Sequence, residues 1–333
     1  MTYYLLVTCL ALLAFMSLNA AGSLIATALW SGLSRRTRRW TANARARTLF
    51  WLCILPPACA LLFVAALMIP AYFAHEPYPA PDQIGLPLIA LALFSASGVA
   101  LALYRAASSW VTTWRLTTFW LRQAERVSVK GITIPAYRLS NSTPVLAVVG
   151  TLRPRLFIAA QVMDSLSAEE MEVALAHERA HLLARDTLKR ALMHVCRDLL
   201  PFIGAGRVLE RAWALEAERA ADEYAAHSGT SGALDLAAAL IKIARLMPAG
   251  VNNVVPAGAF LLEGADDGVA GRVRRLTEMA STRERPARRE LLFSKVALPV
   301  VVGFSVALLA TMADGQVLLT VHALTERVVK LLA

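Results

Sequence analysis

The sequence predicts a mainly α-helical integral membrane protein, with four transmembrane helices and one α+β domain between the third and the fourth. Three observations predict it. Apolar residues make up 57% of the 333-residue chain and charged residues only 17%, against roughly 45–50% apolar in soluble domains. The apolar excess collects in four runs, each at or above the roughly 20 residues that cross a bilayer. Between the third and fourth runs the composition becomes mixed, with a β-rich stretch followed by strongly helical ones.

The runs are Tyr3 to Trp30, Leu49 to Phe73 (broken by Pro56 and Pro57), Ile84 to Tyr104, and Leu291 to Met312. No basic residue precedes the first run, so it reads as a retained span rather than a cleaved signal peptide. Residues 1–104 therefore hold three transmembrane helices, an Arg-rich loop at 31–48 and a short outer loop at 74–83. Residues 105–290 form the domain, 291–313 the fourth span, and 314–333 a short amphipathic tail.

Charge sets the expected orientation. The first loop carries Arg35, Arg36, Arg38, Arg39, Arg45 and Arg47 and no acid, whereas "AHEPYPAPDQ" has Glu76 and Asp82 and no Lys or Arg. Lys and Arg collect on the cytoplasmic side. The chain is thus expected to be a multi-pass protein of the cell membrane, with the domain in the cytoplasm and both termini outside. The net charge of +10 is explained by arginines beside a span and anionic headgroups, and no direct nucleic-acid partner is expected. The four cysteines support no disulfide framework, since three lie in spans and Cys196 in the reduced cytoplasmic part.

After the third run, "RAASSWVTTWRLTTFWLRQAERV" reads as a helix leaving the membrane. Trp110 and Trp114 lie either at the headgroups or on an aromatic face packed on protein. Val145 to Val149 and Leu156 to Ile158, punctuated by Gly150 and Pro154, read as a small sheet with hairpin-like pairing. Ser167 with Glu170 is a capping box opening a helix that runs to about Leu200. "RVLERAWALEAERAADEYAAHSG" is a second helix. "LDLAAALIKIARLM" is too short to span and reads as a buried or membrane-contacting helix. "PAGVNNVVPAGAFLLEGADDG" is loop-like, and "GRVRRLTEMASTRERPARRE" is a basic approach to the last span. Val317, Val321, Leu324, Val328 and Leu331 form one stripe of a tail helix lying on the outer leaflet.

The chemistry concentrates in "ALAHERAHLLARD". His177 and His181 stand four residues apart, so both imidazoles share one helix face. Two neutral imidazoles at that spacing reach one zinc ion, and Glu178 can take a proton from its water. A solvated helix carrying two histidines by chance is the plain alternative. A catalytic zinc needs a third protein ligand. "EAERAADEY" offers Glu218 as that ligand and Asp222 as an acceptor that fixes a histidine tautomer. The alternative is a solvated acidic face of Glu216, Glu218 and Glu223 paired with Arg219, which suits Glu216 and Glu223 better than Glu218 and Asp222. Tyr224 and His227 have the chemistry to stabilise an oxyanion, though a structural role suits each better; His194 falls on the wrong side of its helix and reads as structural.

"PRLFIAAQVMDSLSAEEMEVALAHERAHLLARD" with "EAERAAD" resembles the BlaR/MecR-type antirepressor membrane zinc metallopeptidases and, more distantly, the HtpX-type membrane proteases. The resemblance is strong from Val145 to Tyr224, with "GRVRRLTE" a weaker echo. Both families place an Asp five residues after the second His, here Asp186. The resemblance implies a zincin-like (gluzincin) domain in which Zn2+ is held by His177, His181 and Glu218. It makes Glu178 the general base and Asp222 a support of the site, and implies an edge strand that holds substrate backbone. The implied partners are the lipid bilayer and a protein substrate, such as a cytoplasmic transcriptional repressor, with self-cleavage near Ser281 to Arg289. A quality-control protease of the HtpX kind and a proteolytically silent signalling receptor are the alternatives. Ala221 and Arg179 depart from residues common in relatives. The short stretch after the last run leads us to expect no outer β-lactam-sensing domain.

Overall fold

The computed structural model describes residues 2–76, 85–140, 145–228, 231–247, 268–282, 303 and 314–332. The predicted fourth span, the outer loop beyond Glu76, the loop-like stretch at 248–267 and the basic segment beyond Thr282 lie outside these residues.

Among the described residues, three helices are long and apolar enough to cross a membrane. Helix α1 (Thr2–Arg36) ends on Arg35 and Arg36, cations that suit the negative end of the helix dipole. A 3-10 turn over Thr37–Arg39 reverses the chain. Helix α2 (Ala42–Phe63) starts where the Thr41 hydroxyl accepts from the Ala44 amide. The Pro56–Pro57 pair does not break it. The helix passes through both prolines, runs on to a π-turn at Val64–Met68 just before Pro70, and continues as α3 (Ile69–His75). Proline removes a helix hydrogen bond, and close neighbours make that tolerable in a span. Gly22 of α1 is one such neighbour, since a Cβ there would stand 3.0 Å from the Pro56 Cβ.

The third span and the helix after it form one unbroken α4 (Leu86–Gln123), 38 residues long. That is about 57 Å at 1.5 Å per residue, well beyond the hydrocarbon core. Trp110 and Trp114 on its extension are exposed rather than packed on protein.

Four strands follow: β1 (Ala124–Val127), β2 (Ala136–Leu139), β3 (Leu146–Val149) and β4 (Arg155–Ala159). Their order is β1-β2-β4-β3, with β2 and β4 parallel and the other two pairs antiparallel. The predicted hairpin is β3–β4. Gly150 turns it at φ +108°, where a Cβ would meet the Arg153 carbonyl oxygen at 2.7 Å. Strand β1 falls where the sequence suggested continued helix. Leu146 and Val148 enter one core with Leu156 and Ile158, while Ala147 and Val149 join Trp120 of α4 and Phe157 in another. Both faces of the hairpin are covered, so its sequence is continuously apolar rather than alternating.

After the short α5 (Ala160–Ser165) comes α6 (Ala168–Ala184), opened by the expected Ser167–Glu170 capping box. It does not reach Leu200. Arg185 adopts the left-handed conformation at φ 55°, and a separate helix α7 (Asp186–Asp198) begins there. Helices α8 (Ala205–Ala226) and α9 (Gly232–Leu246) complete the sequence-predicted set, and α9 is a core helix through Leu236, Ala237, Leu240 and Ile243. The basic segment forms α10 (Gly268–Thr282) and packs on α9 instead of merely approaching a span. The tail is α11 (Gly315–Leu332), whose Val321 and Val329 are buried against Leu67, Met68 and Tyr72, while Leu324 and Val328 stay exposed.

The domain sits on the spans through α8, which packs along α2 more extensively than any other pair of elements meets. Trp213 is fully buried there, among Ala26, Trp30, Leu49 and Leu209. Glu216 is not solvated as expected. It is buried and holds Arg45 at 3.0 Å and Arg219 at 3.1 Å. Trp213→Ala is expected to cost about 3–5 kcal/mol by emptying this junction, measured by thermal unfolding of the detergent-purified protein.

Candidate metal centre

Two helices and one strand build the site. Helix α6 brings His177, Glu178 and His181 to the interior on one face, and α8 brings Glu218 and Asp222 one turn apart to meet them; all five are buried. The Ala217, Ala221 and Ala225 side of α8 lets the helices approach closely, since each of these small residues is buried.

The two imidazole Nε2 atoms face each other at 3.2 Å. Glu218 Oε2 is 3.6 Å from His177 Nε2, and Glu218 Oε1 is 3.7 Å from His181 Nε2. His177, His181 and Glu218 thus form a group able to hold a metal ion. Ligands about 2.0–2.1 Å from a tetrahedral zinc stand about 3.3 Å from one another. The spacing of these three therefore suits such an ion.

The outer nitrogens explain why the lone pairs point inward. His181 Nδ1 lies 2.9 Å from Asp186 Oδ2, and His177 Nδ1 lies 3.1 Å from Asp222 Oδ1, close but off line for a hydrogen bond. Carboxylates there favour protons on Nδ1, leaving each Nε2 as an acceptor. Both oxygens of Glu218 are buried without a hydrogen bond among the described residues. Four electron-rich atoms therefore converge on one point, an arrangement a cation relieves.

The break at Arg185 now has a purpose. It starts α7 so that Asp186 turns back onto His181, with Lys189 3.5 Å from its other oxygen.

Arg272 of α10 is the residue that sequence reading missed. It is buried and grips Asp222 with Nε to Oδ2 at 3.0 Å and Nη2 to Oδ1 at 2.6 Å, while Nη1 lies 3.2 Å from Glu218 Oε2. A signal was present: Val269, Val273 and Leu276 enter the core from the same helix, and Arg272 falls on that apolar face. Tyr224 is exposed, and His227 is engaged with the Glu223 carbonyl on the exposed side. His194 pairs with Glu210 at 2.8 Å, the structural role expected.

Electrostatics follow from burial and partners. Burial pulls His177 down to about 4, against the Asp222 contact. Burial also opposes charge on His181, but the Asp186 hydrogen bond with the Glu218 and Asp186 charges outweighs it and raises this imidazole. Burial raises Glu218 despite Arg272. It would raise Asp222 too, yet the Arg272 charge and the His177 contact hold that carboxyl well below the usual range.

Glu178 lies against the sheet. Its Oε2 accepts from the Val148 amide at 3.2 Å, and its Oε1 is buried with no hydrogen bond among the described residues. Burial pushes it up to about 7. Among the described residues β3 pairs only with β4, which makes it the sheet edge beside this carboxylate.

A group of two histidines and a glutamate able to hold a metal ion thus lies on a helix pair beside the edge strand β3, in a chain with three membrane-length helices among the described residues, an arrangement suited to a membrane metallopeptidase. Residues 87–255 match the family model described as BlaR1 peptidase M56. The match covers half of the chain, and the protein belongs to that family. No curated protein matches the chain.

Two outcomes are expected here. Arg272→Gln leaves Asp222 without its buried cation, so metal affinity should fall about 10–100-fold, read by competition against a chelator. In metal-free protein, Glu178 keeps its proton to about 7, whereas an ordinary glutamate releases it near 4.5. Its contribution to stability is therefore fully present below that lower value and is lost as pH rises through about 7. Glu178→Gln should remove a decline on the order of 3 kcal/mol between about pH 4 and about pH 8, measured by denaturant unfolding after chelation.

Proposed function

We propose that the protein is a membrane zinc endopeptidase that cuts a cytoplasmic or membrane protein substrate, with His177, His181 and Glu218 as zinc ligands and Glu178 as general base. The observation that carries this reading is Glu178. It stands next to the three-residue metal group, with one oxygen held by the Val148 amide and the other free of any hydrogen bond among the described residues.

Zinc, when bound, supplies the positive charge that polarises a scissile carbonyl and makes water acidic enough to attack it. The chain's own residues do the rest. Substrate lies extended along β3, whose outer edge, apart from the Val148 amide that Glu178 holds, offers backbone groups to it. Glu178 takes the proton from the attacking water through Oε1 and delivers it to the leaving amine. Asp186 and Asp222 hold the imidazoles with their acceptor nitrogens inward. Arg272 keeps Asp222 ionised for that task.

Membership of the BlaR1 peptidase family supports a signalling role in which the substrate is a transcriptional repressor. The arginines of residues 31–48 support a cytoplasmic site. A silent receptor that keeps zinc only as a brace would need a fourth protein ligand. The group at this site has three among the described residues.

Glu178→Gln is expected to bind zinc like the parent while losing a factor of about 10²–10⁴ in peptide-bond cleavage. His181→Ala and Glu218→Gln should lose the metal and the activity together. Incubation of the purified protein with a candidate repressor, read by mass spectrometry of the fragments, checks this. Equal fragments from parent and Glu178→Gln would end the reading.

A further inference from the structure

A second cluster of metal-ligating side chains lies at the far end of the helical bundle. Helix α2 meets the domain at Arg45, which pairs with Glu216. Its continuation α3 ends at His75, followed by Glu76. Thirty residues of helix separate Arg45 from His75, about 45 Å at 1.5 Å per residue. At that far end α11 packs across α3 and the π-turn.

Residues from two distant parts of the chain converge there. His322 Nε2 lies 3.8 Å from Glu76 Oε2 and 3.7 Å from Glu326 Oε1. The ligand atoms of Glu76, His322 and Glu326 all lie within 4.8 Å of one another. His75 stands beside them, its ring centroid 5.9 Å from that of His322. The Nε2 of His75 and the Nδ1 of His322 are buried and have no hydrogen bond among the described residues.

Side chains of Glu76 and His322 are only 4% and 12% exposed. Lys330 answers part of the charge, but it lies 3.2 Å from Glu326 Oε2 and leaves Oε1 facing His322. One helix turn, His322 to Glu326, thus offers a nitrogen and an oxygen to the same point as Glu76.

We propose that Glu76, His322 and Glu326, beside the His75 ring, form a binding site for a divalent transition-metal ion that pins α11 to the end of α3. A dication matches the charge of two carboxylates. Mixed imidazole and carboxylate donors suit zinc and its neighbours, whereas calcium and magnesium prefer oxygen alone. The two histidine–carboxylate distances, 3.8 and 3.7 Å, are close to the spacing of ligands around a zinc-sized ion. The site is separate from the proposed peptidase centre and shares no residue with it.

The test uses the full chain in detergent, stripped by chelation, then titrated with zinc chloride and analysed for bound metal. The parent is expected to hold two zinc ions per chain. His322→Ala, Glu76→Gln and Glu326→Gln should each hold one, and His181→Ala should hold one by losing the other. Parent-like zinc content in all three far-end variants would overturn the proposal. Loss only in His181→Ala would leave the peptidase reading intact, and the converse pattern would leave this site intact.

A second readout leaves the cluster untouched. In the His181→Ala background, zinc should slow amide exchange in α11 and residues 72–76. Unchanged exchange with zinc would also overturn the proposal, whatever the folding of the far-end variants.

Discussion

The convergence of His177, His181 and Glu218 on one point deep in the domain is the constraint that the surrounding structure answers. Two imidazole lone pairs and a carboxylate facing each other repel unless a cation lies between them. Orienting them inward requires an acceptor behind each ring, and the chain provides one by two different routes. Asp222 reaches His177 from α8, one turn beyond Glu218. Asp186 reaches His181 only because Arg185 takes a left-handed conformation that ends α6 and re-aims the backbone. The strain at one residue is thus linked to the tautomer of a ring one turn away.

The same constraint reaches outward. Asp222 is buried, so it needs a cation of its own, and Arg272 brings one from α10. Arg272 in turn is held by the apolar residues around it, Val269, Val273 and Leu276, which pack into the core under α6 and α9. On the other side, α8 is seated on α2 by Trp213 and by Glu216 bridging to Arg45. The helix that carries Glu218 and Asp222 is therefore held between the membrane-length α2 and α10.

Much of this was legible in the sequence, for reasons that differ by element. The three described spans and the capped α6 follow from local pattern: long apolar runs, and Ser167 three residues before Glu170. His177 and His181 on one face follow from helical periodicity alone. The β3–β4 hairpin follows from its β-rich runs and the Gly150 turn. The less legible parts are those where tertiary contact overrides local pattern. Pro56 and Pro57 look like a break but lie within a helix, where Gly22 lets α1 pack against them. Glu216 looks solvated, as its neighbours Glu223 and Arg219 do, but α2 covers it.

What the sequence determined by itself is the inventory and the local geometry: which stretches are helical, which are apolar enough for a membrane, and which side chains share a helix face. These depend on residues within a few turns of one another, where spacing dictates position. The family followed from the same inventory. What only the tertiary structure decided is which charged groups meet. Arg272 lies 50 residues beyond Asp222, and Glu76 lies far from His322 along the chain. No local rule relates such residues, because the energy that joins them arises only when burial removes water from both. A buried charge must find its partner wherever the fold places one, and that choice is made by packing rather than by sequence spacing.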